Sequence, residues 1–284
     1  MKKVCFALAA LTWLHAAHAQ QTAMNSMACC QPTATESFAR FASDKSFVMS
    51  HEAPRPFHFR SDNGHDITFK AADGAEAHGW EIKAASPTRN YLFVIHEWWG
   101  LNDYIKKESE QLWKDLGNVN VIALDLYDHK VATTPDEAGK YMGEVKTERA
   151  EAIIRGAVSY AGTNARIFTI GWCFGGGWSL QASLLAGKQA AGCVMYYGMP
   201  EKDLNRLKGL HADVLGLFAN KEQWITPAVV DTFAANMKKA GKKLTVYRYD
   251  AVHAFANPSN PHYDKAATED AYRHVMAFLK PRLK

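Results

Sequence analysis

Apolar residues are spread without a sustained period up to about residue 56 and gather into short regular runs after it. Phe57-His58-Phe59-Arg60 and Asp66-Ile67-Thr68-Phe69-Lys70 alternate apolar with polar, as strands with one solvated face do. Ala72-Asp73-Gly74 then supplies a turn into a further strand over 77–83, so an antiparallel hairpin is predicted at the start of the domain. Continuous apolar, β-branched or aromatic runs at 91–96, 119–126, 165–170, 193–197, 214–219 and 244–249 have the composition of buried parallel strands. Between and after them, 103–116, 135–160, 175–186, 227–240 and 265–279 carry helical spacing. Strand alternating with helix in this order predicts an α/β protein, a mostly parallel central sheet flanked by helices on both faces. No repeat and no linker interrupts 57–284, which reads as one domain; 20–56, rich in Ala, Ser, Thr and Met, reads as an irregular N-terminal arm with room for one short helix.

The first nineteen residues differ again. Lys2 and Lys3 precede an apolar run over 4–14, and Ala17-His18-Ala19 ends it with small residues at the right spacing for a signal peptidase. A signal peptide over 1–19 is therefore expected, cleaved after Ala19, with the mature protein periplasmic or secreted; the competing reading is an amphipathic leader that stays attached. The run falls short of the ~20 residues that span a bilayer, and no later uncharged stretch reaches that length, so no stable membrane anchor is expected. Cys5 precedes the run and Cys29-Cys30 lie well beyond it, which argues against a lipoprotein anchor.

Charge and cysteine content narrow the function. Losing Lys2 and Lys3 halves the formal charge of +4 and leaves no basic run to track phosphates, so nucleic acid is not an expected partner. Cys29, Cys30, Cys173 and Cys193 are too few for a disulfide scaffold, and adjacent Cys29 and Cys30, lacking C-x-x-C spacing, read as surface thiols or disulfides. No His, Asp or Glu spacing of the H-E-x-x-H kind occurs, so neither a metal nor a cofactor is expected.

Gly171-Trp172-Cys173-Phe174-Gly175 is the sharpest motif. Set between a strand ending near Ile170 and a helix running on through Gly176 and Gly177, it has the form of a nucleophile elbow, where small neighbours let a strained central residue project between strand and helix. The following helix directs its N-terminal dipole at the sulfur, which favours thiolate. A glycine-rich turn around a buried structural cysteine is the alternative. Glu97 closes the 91–96 strand at the carboxyl edge of the sheet, where such folds open their sites, and the backbone amides of Trp98 and Phe174 are the natural oxyanion donors. His253 follows the last strand and comes after the nucleophile in the chain order this fold uses, whereas His51, His58, His65, His96, His211 and His262 read as surface or structural histidines.

Gly-x-Cys-x-Gly-Gly, together with His96-Glu97-Trp98-Trp99-Gly100-Leu101 and Val252-His253-Ala254-Phe255, resembles the dienelactone hydrolase family over about 57–280. The resemblance implies an α/β-hydrolase fold, a Cys-acid-His triad and hydrolysis of enol-lactones or related esters. It implies that Glu97 takes part in switching the thiol to thiolate as substrate binds. The family's triad aspartate falls in register on Glu222, a chemically adequate replacement, and not on Asp250 at the end of the histidine's own strand. Asp125-Leu126-Tyr127 fits the family, but Asp128-His129-Lys130 lacks the arginine that helps hold a substrate carboxylate there, leaving Lys130 as a point charge without a fork.

Trp98, Trp99, Tyr127, Tyr197, Trp224 and Phe255 fall on the same edge and predict an aromatic-walled pocket, with Lys130 beside it, for a small, partly apolar substrate. The expected protein is a monomeric cysteine hydrolase of small-molecule esters or lactones, using Cys173, Glu222, His253 and Glu97. A thioesterase or other acyl hydrolase on the same triad is the nearest alternative, and a catalytically weakened ligand-binding or sensor protein the more distant one. Protein recovered outside the cytoplasm should begin at Gln20 by N-terminal sequencing; a start at Met1 in an intracellular fraction refutes export.

Overall fold

A computed structural model describes residues 32–284; the leader, its cleavage point, Cys5, Cys29 and Cys30 lie outside the described residues. Ala34–Lys284 forms one compact unit. It opens with two short helices, α1 (Ala34–Ala39) and α2 (Lys45–Met49), joined by a 3-10 turn over Arg40–Ser43. There follow β1 (Gly64–Lys70), β2 (Glu76–Ile82), β3 (Asn90–Ile95), α3 (Asp103–Leu116), β4 (Asn120–Leu124), α4 (Pro135–Glu144), α5 (Thr147–Ala161) and β5 (Arg166–Trp172). The second half holds α6 (Phe174–Ala186), β6 (Ala190–Tyr196), α7 (Leu204–Lys208), β7 (Val214–Ala219), α8 (Pro227–Lys239), β8 (Leu244–Tyr249) and α9 (Lys265–Leu279).

The strands form one eight-stranded sheet in the order β1-β2-β4-β3-β5-β6-β7-β8, antiparallel at β1–β2 and β2–β4 and parallel elsewhere. Two covered faces explain the apolar runs: every residue of β4 and β7 is buried, as are Leu92 to Ile95 of β3. Edge strand β1 alternates burial, as its sequence does. The chain passes from β3 to β4 on one side and returns across β3 to β5. Right-handed crossovers therefore put α3 on one face and α4, α5, α6 and α8 on the other. Helix α9 packs on α3, where the Tyr272 hydroxyl donates to Asp115 at 2.6 Å, while α5 packs on α6. The reversal of direction leaves a crevice beyond the carboxyl ends of β3 and β5, the place where open α/β sheets bind ligands.

Three expectations need correction. Residues 57–60 form no strand, because their backbone is tied to α3: Phe59 N–H donates to Asp103 at 2.9 Å, and the Tyr104 hydroxyl donates to Arg55 O at 3.0 Å. The helix expected over 135–160 is two helices. Thr134 and Glu137 cap the first reciprocally, and Val145, at φ −60° and ψ 121°, ends it before α5 begins. The arm is not merely irregular, since Phe47 of α2 is fully buried and Asp44 caps α2 by accepting from Ser46 N and Phe47 N. Among the described residues no helix is long and apolar enough to cross a membrane.

Gly175 marks the tightest packing that bears on the site, since a Cβ there would lie 2.3 Å from Ile95 O and 2.4 Å from His96 O. Gly175→Ala should therefore destabilise the fold by about 1–3 kcal/mol or more, because the neighbours are backbone and cannot rotate away. Gly143→Ala, whose Cβ would make an ordinary 3.5 Å contact with the Ala42 Cβ, should be neutral or stabilising by up to about 1 kcal/mol. Denaturant unfolding of both variants checks the pair, and equal effects would refute the packing account.

Candidate active site

Parallel pairing sets Ile95 of β3 beside Gly171 of β5, so the residues two positions further on, Glu97 and Cys173, emerge together in the crevice. Cys173 sits at φ 56° and ψ −120°, a conformation that costs a side-chain-bearing residue on the order of 1–3 kcal/mol. Its neighbours make this possible: a Cβ on Gly171 would stand 2.1 Å from Gly175 O, so the turn closes only around glycine. Cys173 N–H donates to Tyr196 O at 3.0 Å, and α6 starts at the next residue, whose N–H donates to the sulfur. Tyr197 and Ala254, at φ 35° and 61°, add two further strained positions in the same crevice.

A thiol, an imidazole and a carboxylate stand in series. His253 Nε2 lies 3.2 Å from Cys173 Sγ, and His253 Nδ1 donates to Glu222 Oε2 at 2.6 Å. All three residues are buried. Glu222 hangs from the loop after β7 and is fixed by Trp224 N–H, which donates to its other oxygen at 3.0 Å. Asp250 is exposed and pairs with Lys221 at 3.0 Å, so the carboxylate nearer His253 in sequence is not the one at its ring.

Burial works against charge throughout, and partners decide where it survives. On His253 the desolvation is outweighed by the Glu222 carboxylate and the Cys173 sulfur, which hold the imidazole well above its ordinary range. Glu222 is lowered despite its burial, by His253 and by the Trp224 and Ile225 amides. Burial pushes the Cys173 thiol up, and the nearby Glu97 carboxylate adds to this against His253 and the Phe174 N–H. These influences favour positive charge on His253 and negative charge on Glu222, and oppose ionisation of Cys173. Glu97 is pushed up to about 7 by burial, opposed by His253 and by hydrogen bonds from Tyr197 and Asn257. The Tyr197 hydroxyl donates to Glu97 Oε1 at 3.3 Å, and the Asn257 amide donates to Oε2.

The aromatic residues expected at the pocket divide. Trp99 and Glu97 line a cleft together with Tyr104, Glu108, Trp172 and Asn257; no lysine, arginine or histidine lines it, and Cys173 lies beyond its lining. Tyr127 is buried against His96 and Phe174, Phe255 is buried under Tyr197, and the Trp224 ring stands 5.8 Å from His253. Trp98 is fully buried against Trp99, with its amide following Glu97 directly. Lys130 pairs with Glu144 at 3.0 Å and lies over the Tyr141 ring, in a different depression from the cleft. His96 is structural, its Nδ1 donating to Glu97 O at 2.6 Å and its Nε2 accepting from Leu126 N–H at 3.1 Å.

Three participants were not singled out by sequence. Asn257 follows His253 by four positions in the same loop, and that proximity was its one signal. Phe47 and His51 come from the arm, and of the surface or structural role expected for His51 the surface one is excluded by its burial. His51 is 3 % exposed, and its ligand atom lies within 4.8 Å of Cys173 Sγ and of His253. The Phe47 ring packs 5.3 Å from Trp98, 5.0 Å from Trp224 and 5.8 Å from His253, closing the crevice from above.

An eight-stranded sheet with one antiparallel excursion, an elbow after β5 and an imidazole after β8 define an α/β hydrolase with cysteine at the elbow. Residues 81–283 match the dienelactone hydrolase family, and the chain belongs to that family of ester-bond hydrolases. It is 27% identical over 254 residues to a Saccharolobus solfataricus protein named as a candidate carboxymethylenebutenolidase, covering 75% of this chain and 96% of that one. It is 29% identical over 142 residues to the carboxymethylenebutenolidase of a Pseudomonas species, 48% of this chain and 58% of that one. In structure it is similar to a dienelactone hydrolase-like promiscuous phosphotriesterase from metagenomic libraries, with a TM-score of 0.66 and 19% identity over 78% of this chain and 100% of that one.

The electrostatics carry a direct test. Glu222→Gln removes the charge that favours the imidazolium and should move the His253 titration down, whereas Asp250→Asn should leave it in place; imidazole NMR measures both. An unmoved His253 in Glu222→Gln refutes the ion pair.

Proposed function

We propose that the protein is a cysteine-dependent hydrolase of small carboxylic esters or lactones that works through an acyl-enzyme on Cys173. The observation that carries this reading is the series of Sγ, imidazole and carboxylate at 3.2 Å and 2.6 Å on a strained elbow. In the proposed cycle the Glu97 carboxylate takes the thiol proton as substrate enters, and the thiolate attacks the acyl carbon. Amides of Trp98 and Phe174 receive the developing oxyanion, a service worth about 2.7–4 kcal/mol per donor in comparable sites. His253, already protonated by virtue of Glu222, gives its proton to the departing alkoxide and then accepts one from the water that attacks the thioester. The thiolate leaves, and the proton on Glu97 returns to it, so every group ends as it began.

The substrate reading rests on the cleft that adjoins the site through Glu97, Cys173 itself not being among its lining residues. Its walls offer two carboxylates, Glu97 and Glu108, and aromatic surface, with no cation. A neutral ester or lactone meets apolar contact there, while a carboxylate-bearing one meets like charge, and Lys130 is engaged by Glu144. Thioesters remain competitors on chemical grounds alone, since the same acyl carbon would be attacked.

A panel of neutral aryl esters, thioesters and neutral and anionic lactones, given to the mature protein, tests the reading. Neutral esters or lactones should exceed the anionic lactone by about tenfold or more in kcat/KM, roughly 1.4 kcal/mol in the transition state. Acylation should rise with pH through about 7, because Glu97 must be ionised to take the thiol proton. Glu97→Gln should lose that limb, Cys173→Ala should lose turnover, and intact-protein mass spectrometry should find the acyl group on Cys173. Near-normal turnover by Cys173→Ala overturns the proposal.

A further inference from the structure

His51 is a buried imidazole that the proposed cycle leaves unused. Its Nδ1 lies 2.7 Å from Phe47 O, and because a carbonyl only accepts, Nδ1 carries the proton. The Ser50 hydroxyl, which donates to the same carbonyl at 2.8 Å, leaves that assignment intact. Nε2 is therefore a bare lone pair. It is buried without a hydrogen-bond partner among the described residues, and leaving such an acceptor empty costs on the order of 1–3 kcal/mol. The ring itself packs against Phe47 and Trp98, at 4.3 Å and 4.6 Å between ring centres, and those contacts leave Nε2 without a partner.

What it faces is the nucleophile and its base. The donor atoms of His51, Cys173 and His253 all lie within 4.8 Å of one another, and all three side chains are buried. We infer that these three residues form a site for a soft divalent cation of the zinc class, which occupies nucleophile and base together and reversibly stops hydrolysis. One thiolate and two imidazoles suit zinc, which takes sulfur and nitrogen donors tetrahedrally and in three-ligand sites keeps a fourth position for water.

The outer contacts are already those of a metal centre. Ligating histidines almost always donate their far N–H to a carboxylate or a backbone carbonyl, which fixes the tautomer and aims the other nitrogen. His253 does so to Glu222 at 2.6 Å and His51 to Phe47 O at 2.7 Å. Two such outer bonds converging on one thiol are more than the hydrolytic cycle requires. A tetrahedral zinc with bonds of about 2.0–2.3 Å needs its donors about 3.3–3.6 Å apart. The Cys173–His253 pair, at 3.2 Å, nearly meets that spacing, and His51, within 4.8 Å of both, must close by about 1.5 Å at most.

Glu222 and Glu97 supply negative charge nearby. Binding displaces the thiol proton and the proton on His253 Nε2, two protons for one dication, so the ion competes directly with the catalytic protonation states. The arm thus adds a ligand that residues 57–284 lack. Inhibition rests on the proposed cysteine chemistry, but metal binding does not, and the two are read separately.

Reduced mature protein titrated with Co²⁺ without oxygen should develop a thiolate-to-metal charge-transfer band and the visible bands of tetrahedral cobalt, saturating at one equivalent and bleached by Zn²⁺. Cys173→Ala should lose the charge-transfer band. His51→Gln and the space-filling His51→Phe should weaken Co²⁺ binding by at least about 10–100-fold, the range by which even outer-contact losses weaken metal sites. In hydrolysis assays, each variant compared with its own metal-free rate, the Zn²⁺ needed for half inhibition should rise by a similar factor for both His51 variants, and a chelator should restore wild-type turnover. Cobalt spectra and affinity unchanged in both His51 variants, or no cobalt bands in the wild type, overturn the proposal whether or not the protein hydrolyses esters.

Discussion

Everything at this site depends on one backbone constraint, the positive φ of Cys173. A residue with a side chain adopts that conformation only when the surroundings over-determine it, and here they do so on all sides. Gly171 lets the turn close on Gly175 O, Gly175 lets α6 lie against the end of β3, and the Cys173 amide is pinned to Tyr196 O. The strained turn sets the sulfur at the start of α6, where the Phe174 N–H reaches it. Packing free energy spread over β3, β5 and β6 offsets a local cost of a few kcal/mol, which is why the elbow is built at the centre of the sheet and not at its edge.

That placement determines the electrostatics. A thiol at the switch point between β3 and β5 is buried, and burial alone would leave it inert. The fold answers with two carboxylates in different surroundings. Glu222 is held down by His253 and two amides and acts as a fixed negative charge, while Glu97, buried with a hydroxyl and an amide as its partners, is pushed up to about 7 and exchanges protons near neutrality. Two carboxyl groups pushed apart in this way can do different work at one pH, the first holding a charge and the second moving a proton.

Much of this was legible in the chain. Strands β7 and β8 and helices α3 and α9 begin and end where their hydrophobic patterns do, because a buried strand or a long amphipathic helix leaves a clear period. Cys173 and His253 were readable because the fold puts each just past the end of a strand, whereas Glu97 and Glu222, though also past strand ends, owed their roles to the resemblance to the dienelactone hydrolase family. The arm was not. Helices of five and six residues carry too few turns for a period, and their ordering comes from tertiary contacts of Phe38 and Phe47. Asn257 was missed because a loop has no periodicity from which a direction can be read, and the break at Val145 because propensity alone cannot place a kink between two helical patterns.

The arm also changes what the site is. Without it, the His253 ring would lose its contacts with Phe47 and His51. With it, Phe47 and Trp224 meet edge to face beside His253, Asp44 accepts from Trp224 Nε1 at 3.2 Å, and His51 sets a second imidazole edge-on to the first. The same segment therefore excludes water from the ion pair and supplies an acceptor lone pair that the ion pair does not use. Exclusion of water strengthens each charge interaction within the pocket. It equally raises the cost of leaving His51 Nε2 empty, so the packing of the arm over the proposed nucleophile is also what favours the proposed cation there.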